Sequence, residues 1–305
     1  TPAEDYFITD FRYVEQAGKQ VEGYKIIEIN KNFEVELDEL IAESGIKKLG
    51  FEAKAVTYNQ YEKYIKNIDI DLIPCKGIVE DLRLIKDKTE IDKIKKAIKY
   101  TDRAFKHICN YLKPGLSEKE VSLELEFFLK QLGAEKKAFD FIVASGKRSS
   151  LPHGVATDKK IKKGDFVTMD FGAFFDGYCS DMTRTVVIGK LTDKQRDIYN
   201  IVLRAQLEVI DNIKNGMSGK EVDALARDII KKEGYQDRFG HGLGHGIGME
   251  IHENPRVSYT SDKELRAGMV FTDEPGIYIP DWGGVRIEDD LYLTETAWKV
   301  LNKSP

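Results

Sequence analysis

The chain holds five histidines in 305 residues, and three of them, His241, His245 and His252, fall in one stretch, Gly240 to Glu253, reading GHGLGHGIGMEIHE. A fourth, His153, stands in LPHG, and the fifth, His107, lies in an ordinary helical run and reads as structural. Imidazoles this dense suit metal ligation or proton transfer. The His241–His245 interval matches a helical metal pair, but glycine at 240, 242, 244, 246 and 248 disfavours a helix. Each glycine costs a helix interior roughly 1 kcal/mol. Alternating glycine predicts instead extended backbone that another segment approaches closely. No GxGxxG register fits, and IGMEIHE reads as strand, not as the helix a dinucleotide fingerprint opens. Taken alone, the stretch is equally a glycine-rich loop with incidental histidines, and acids elsewhere in the chain tip the balance.

Two acid-bearing segments recur. KGDFVTMDFG, ending at Gly172, and AGMVFTDEPG, ending at Gly276, both run glycine, apolar stretch, carboxylate, glycine, at an offset of 104 residues. The carboxylates are Asp170 and Glu274. Each segment leads through a turn into a strand with a further acid, Asp181 in GYCSDMTRTVVIG and Glu288 in GGVRIEDDLYL. With Asp176-Gly177 as a two-residue hairpin turn, Phe175 faces Tyr178 and Asp181 faces Gly172. Asp170 and Asp181 then share a face as diagonal neighbours, within about 7–8 Å. Centring the second turn on Trp282 sets Glu288 opposite Gly276, with Glu274 on the same face. A glycine opposite an acid in each hairpin leaves room for an ion. Four like charges in one cavity would repel and take up protons unless cations enter. Four carboxylates plus one imidazole suit two divalent ions, a pair roughly 3.5–4 Å apart clamping the attacking water and the reacting oxygen. Any one of these acids alone is more readily a hydrogen-bonded turn residue. Two pairs repeated in register beside a histidine cluster favour metal, with manganese, cobalt and zinc all open.

The elements that must carry these residues repeat as well. Lys113-Pro-Gly-Leu-Ser-Glu-Lys-Glu-Val121 and Lys214-Asn-Gly-Met-Ser-Gly-Lys-Glu-Val222 match at an offset of 101 residues, as do Gly133 and Gly234. Ser117 with Glu120 and Ser218 with Glu221 have capping-box spacing, each opening a helix that follows a longer one. The reading is two helix–helix–hairpin halves related by duplication, with mostly antiparallel strands, helices on one side and the site on the opposite face. Ahead of them, Ile91, Ile94, Ile98 and Phe105 keep helical spacing in a lysine-rich run whose acids, Asp87, Glu90, Asp92 and Asp102, make it a solvated amphipathic helix rather than a nucleic-acid face. Residues 6 to about 80 alternate strand (YFITD, YKIIEI, KKLGFEA, DIDLIP) and helix. That alternation predicts a small α/β domain around a largely parallel sheet with a binding or covering role.

Bulk composition narrows the class. Lys+Arg 47 against Asp+Glu 52 gives a net charge of −5, which disfavours a nucleic-acid partner. No apolar run approaches a membrane span, and no secretory signal opens the chain. Three cysteines, Cys75, Cys109 and Cys179, share no metal spacing and read as reduced cytoplasmic thiols.

MDFG with Asp170, SDMTRT with Asp181, GHGIG with His245, DEPGIY with Glu274 and VRIED with Glu288 resemble the five-ligand signature of the pita-bread (M24-type) metallopeptidases. With LPHG and GIVEDLRLIKDKTEI, the resemblance covers almost the whole chain and is strongest to bacterial Xaa-Pro aminopeptidase and prolidase. It implies an α+β, creatinase/aminopeptidase-like pita-bread catalytic domain over 84–305. It implies an N-terminal α/β domain over 1–83, incomplete at its start. Asp181 and Glu288 would bridge two divalent ions, most readily manganese. Asp170 would bind one ion through both oxygens, and His245 and Glu274 would complete the other. His153 and His252 would hold the substrate carbonyl, His241 would line the site near proline, and Arg286 would orient the carboxylates. The implied reaction is attack by a metal-bridging hydroxide on the carbonyl before proline. Glu274 would pass a proton to the leaving nitrogen, which carries no N–H of its own and must be protonated to leave. Asp273 departs from the family's usual aliphatic residue; strand alternation points it away from the metal face, where pairing or partial solvation is expected.

The leading function is Xaa-Pro aminopeptidase, with prolidase acting on Xaa-Pro dipeptides as the alternative. Methionine aminopeptidases lack the N-terminal domain, creatinase-type hydrolases lack the five ligands, and a non-catalytic relative would have lost some of them. The expected partner is a proline-containing peptide, with no nucleic acid or membrane, in a cytoplasmic homodimer.

Overall fold

The computed structural model describes residue 1 and residues 3–305, which divide into two compact units, 1–78 and 79–305. The first alternates as its sequence predicts: β1 (Tyr6–Thr9), α1 (Val14–Gln20), β2 (Lys25–Glu28), α2 (Phe33–Ser44), β3 (Lys48–Glu52), α3 (Tyr58–Asn67) and β4 (Asp71–Cys75). Its strands pair in parallel, β1 with β2 and β3 with β4. Among the described residues they form two separate two-stranded ladders in place of the single sheet expected.

A short helix, α4 (Ile78–Arg83), precedes the long amphipathic α5 (Lys88–Tyr111), capped by an Asp87–Glu90 box. Ile91, Ile94, Ile98 and Phe105 are buried, and the interspersed charges face out. His107 is structural as expected, stacked on Phe128 at 3.9 Å and bonded to Glu124 at 2.6 Å.

The first half of the second unit continues with α6 (Glu118–Leu132), β5 (Lys136–Lys137), β6 (Ile142–Ser145), β7 (Phe166–Asp170), β8 (Ala173–Phe175), β9 (Tyr178–Cys179) and β10 (Thr183–Val187). The second half runs through α7 (Asp193–Asn212), α8 (Gly219–Lys232), β11 (Gly244–Gly246), β12 (Glu253–Val257), β13 (Val270–Asp273), β14 (Gly276–Ile279), β15 (Gly283–Arg286), β16 (Asp289–Leu293) and β17 (Trp298–Val300). Every ladder in this unit is antiparallel. The duplication extends to individual bonds. Gly115 N–H donates to Ile161 C=O and Gly216 N–H to Leu265 C=O, each at 2.9 Å. Both expected capping boxes are formed, Ser117 with Glu120 and Ser218 with Glu221. One core packs α7 and α8 against β13, β15 and β16, and another packs α5 and α6 against β6 and β7.

The first hairpin has the expected register. Asp176 and Gly177 take the turn at φ 47° and 85°. Phe175 pairs with Tyr178 and Asp170 with Thr183, one continuous alignment that sets Asp181 opposite Gly172. The second hairpin is shifted by two residues from expectation. Its turn centres on Asp281, at φ 60°, and not on Trp282. Gly276 pairs with Arg286, and Asp273 with Asp289, so Glu288 falls opposite Glu274. The glycine pair after Trp282 is there for packing: a Cβ on Gly284 would lie 2.5 Å from the Ser149 carbonyl oxygen. Because side chains alternate with period two, the shift leaves both acids on the same face.

Candidate metallopeptidase site

The two hairpins and the glycine-rich stretch surround one cavity of about 610 Å³. Asp170 ends β7, Asp181 follows β9, Glu274 follows β13 and Glu288 follows β15, so each acid sits where a ladder is interrupted and its side chain is free to face inward. The halves are stitched together here: Glu288 N–H donates to the Thr183 carbonyl at 3.1 Å.

The histidine stretch is laid down by α8. Asp223 and Arg227 pair on that helix at 2.6 Å, and Asp223 accepts the Leu243 N–H while Arg227 donates to the carbonyls of Phe239 and His241. The backbone is extended only at Gly244–Gly246, between β12 and β13. A Cβ on Gly244 would stand 1.9 Å from the Thr272 carbonyl oxygen, and one on Gly246 2.1 Å from that of Asn254. Close backbone approach, not helix avoidance alone, calls for glycine at 244 and 246. IGMEIHE, expected as strand, forms a loop over Ile247–His252, and only Glu253 enters β12.

All nine predicted site residues line this cavity: His153, Asp170, Asp181, His241, His245, His252, Glu274, Arg286 and Glu288. Asp181, His245 and Glu288 each offer an atom within 4.8 Å of the others, a possible metal-binding group. His245 Nε2 lies 3.7 Å from Asp181 and 3.5 Å from Glu274, and its ring meets that of His252 edge-on at 4.3 Å. Arg286 donates to Asp170 at 2.6 Å and to the Tyr278 hydroxyl at 2.9 Å.

The electrostatics are those of an acid cluster short of positive charge. Burial, then the charge of Glu288, raises the Asp181 carboxyl well above its ordinary value. Burial and Glu274 do the same to Glu288, and burial lifts Glu274 to about 8. Desolvation, aided by His252, lowers His245 to about 4. Desolvation and then Arg286 lower His241 likewise to about 4. Oδ1 of Asp170 and Oδ1 of Asp181 are buried with no hydrogen-bond partner. Unpartnered carboxylate oxygens beside a neutral imidazole fit divalent cations, which supply the missing charge and the missing contacts. Neither hairpin glycine leaves room for an ion as expected. A Cβ on Gly172 would meet the Ser180 carbonyl at 1.8 Å, and one on Gly276 would meet the Tyr278 hydroxyl at 2.6 Å.

Several residues were missed from sequence. Thr183 donates to Glu288 at 2.5 Å and accepts from Arg286 at 2.9 Å. Tyr278 joins His241 Nε2, at 2.8 Å, to Arg286. Thr272 contacts both the His245 N–H and Glu274. Each lies two or four residues from a chosen acid, so strand alternation could have found it. Arg256 faces His245 across the β11–β12 ladder and lines the cavity. Asp273 is neither solvated nor paired: it is 0 % exposed and both its oxygens lack partners. Burial, then Asp289 opposite, raises its carboxyl well above the ordinary value.

A larger groove, about 900 Å³, runs along α5. It has no histidine, and its one acid, Asp102, is taken up by the Lys303 and Ser304 N–H groups, so size alone does not mark the site.

Comparison with known proteins agrees with this geometry. Residues 92–295 match Metallopeptidase family M24, and residues 1–85 match the Creatinase/Prolidase N-terminal domain. The chain is 48% identical to a Xaa-Pro dipeptidase of Pyrococcus furiosus over 84% of its length and 74% of the relative's. It superposes on a Xaa-Pro dipeptidase from Bacillus anthracis with TM-score 0.96 and 54% identity, covering 98% of this chain and 84% of that one. It superposes on an X-Pro aminopeptidase from Thermotoga maritima with TM-score 0.92 and 40% identity, covering 98% and 85%. The higher identities favour the prolidase alternative over the aminopeptidase reading. With most of its length matched and its acids and imidazoles gathered on one pita-bread cavity, this chain belongs to metallopeptidase family M24.

Proposed function

We propose that the chain is a dinuclear prolidase, hydrolysing the bond before proline in Xaa-Pro dipeptides. The observation that carries this reading is the pair of buried, partnerless oxygens on Asp170 and Asp181 within the acid–imidazole cluster. Asp170, Asp181, His245, Glu274 and Glu288 would hold two divalent ions, manganese, cobalt or zinc. Bound there, such ions would supply Lewis acidity toward the scissile carbonyl and lower the pKa of water.

The chain's own groups do the rest. His153 and His252 donate to the carbonyl oxygen as negative charge develops on it. Glu274 carries a proton to the proline nitrogen, which must be protonated to leave. Tyr278 and Arg286 fix His241 at the proline side. Arg256, for which no ion pair is formed among the described residues, is placed to take the free carboxylate of a dipeptide.

The same fold in an X-Pro aminopeptidase makes longer peptides the rival substrate. Rates on a Xaa-Pro dipeptide, a Xaa-Pro-Yaa tripeptide and a Xaa-Ala dipeptide separate the readings. Prolidase predicts the first far ahead of both others, and preference for the tripeptide would establish the aminopeptidase.

A further inference from the structure

His252 stands on the Ile247–His252 loop, outside any ladder. What fixes that loop lies one residue on. The Glu253 carboxylate meets Lys86 Nζ at 2.5 Å, with the two side chains 5% and 1% exposed. This pair is more enclosed than Arg286–Asp170 in the site itself, at 3% and 12%. The loop folds around the same carboxylate. Glu250 N–H donates to its Oε2 at 3.4 Å, and a Cβ on Gly248 would lie 2.5 Å from its Oε1. A second ion pair from the same segment, Arg83–Glu250 at 2.9 Å, grips the rim of the loop.

Lys86 is itself firmly held. Its backbone N–H donates to the Gly268 carbonyl at 2.9 Å. Leu84 is part of the core, and Ile85 packs so tightly on Gly268 that a Cβ there would come within 2.5 Å. A buried ion pair contributes little net stability over an apolar pair of the same size, because desolvation offsets the attraction. What it supplies is direction: one lysine, anchored by the core, specifies where the Glu253 carboxylate and the loop wrapped on it must sit.

We propose that Lys86 is a positioning residue for His252, acting through Glu253. The proposal rests on the reading above that His252 addresses the reacting carbonyl.

The test uses the zinc-loaded chain and a Xaa-Pro dipeptide. Lys86→Met should lower kcat by about 10- to 100-fold, with KM and metal content unchanged. Lys86→Met/Glu253→Gln leaves no uncompensated buried charge and should show the same loss in a stably folded chain. In a His252→Ala background, Lys86→Met should cost nothing further. Wild-type kcat in the double variant, or an additional loss on top of His252→Ala, overturns the proposal. Proton NMR of the five histidine rings reads the geometry without turnover. The His252 signal, assigned by its absence from His252→Ala, should shift in both Lys86 variants, while that of His107 stays in place. An unmoved His252 signal overturns the positioning role, even for a chain that cleaves no Xaa-Pro peptide. A shifted signal in such a chain upholds it and removes only the assigned substrate.

Discussion

His245 and His252 lie seven residues apart and their rings touch, yet their surroundings differ. His245 is within 3.5–3.7 Å of two carboxylates, whereas His252 is exposed at the cavity wall. A donor to a developing oxyanion acts in the transition state, so His252→Ala should lose ~10²–10³-fold in kcat while keeping its metal. His245→Ala removes a ligand and should lower metal occupancy as well as rate. Metal content and kcat of the two variants decide, and the reverse pattern would exchange the two roles. Asp273 illustrates the limit of residue-level reading. Alternation correctly turned it from the site, but only the packing above and below the sheet shows that no water or partner reaches it.

At the scale of elements, the glycines of the histidine stretch are not equivalent. Gly244 is pressed against β13, while a Cβ on Gly240 would meet nothing within 4 Å. Gly244→Ala must therefore push β11 off β13 and with it the His245 backbone. It should cost ~1–3 kcal/mol or more and reduce metal binding. Gly240→Ala should stay within ~0.5 kcal/mol of the parent. Thermal melts of both variants, with metal analysis, check the contrast. Equal melts would mean that the β11–β13 contact yields cheaply. The displaced second hairpin belongs to the same scale. The turn centres on Asp281 where Trp282 was expected, and Gly284 beyond it serves the approach of Ser149.

For the whole molecule, the acid cluster sets how stability depends on pH and metal. In the metal-free chain, the raised carboxyls of Asp181, Glu274 and Glu288 hold protons that the unfolded chain releases near its ordinary values of 3.8 and 4.5. His241 and His245, lowered to about 4 when folded, oppose this until the unfolded histidines lose their protons near 6.5. Above that the unfolded state binds fewer protons than the folded one, so stability falls as pH rises until Glu274 ionises at about 8. Ions binding the ionised cluster should reverse this: metal affinity increases with pH, and the melting temperature gains most where the metal-free chain is weakest. Chelation should abolish turnover, divalent metal should restore it, and analysis should find up to two ions per chain. Full activity after exhaustive chelation, or a metal-free melting temperature flat between about pH 6.5 and 8, would contradict the cluster's proposed role.

Much of this was legible in the chain because the relevant signals are local or periodic. Capping boxes, the Asp176-Gly177 turn, helical spacing in α5 and the duplicated acid segments each depend on residues close in sequence. A period-two strand keeps Asp170 with Asp181, and Glu274 with Glu288, on one face even when the register is off by two. The nine residues chosen for the site, which all line the cavity, were therefore nameable from sequence and from family resemblance. The rest depended on contacts between segments far apart in the chain: the approach of Ser149 to the second hairpin at Gly284, the full burial of Asp273 beside Asp289, and the anchoring of the His252 loop on Lys86, 167 residues upstream of Glu253. None of these leaves a periodic trace, because which segment approaches which is decided only when the two halves and their cores pack together.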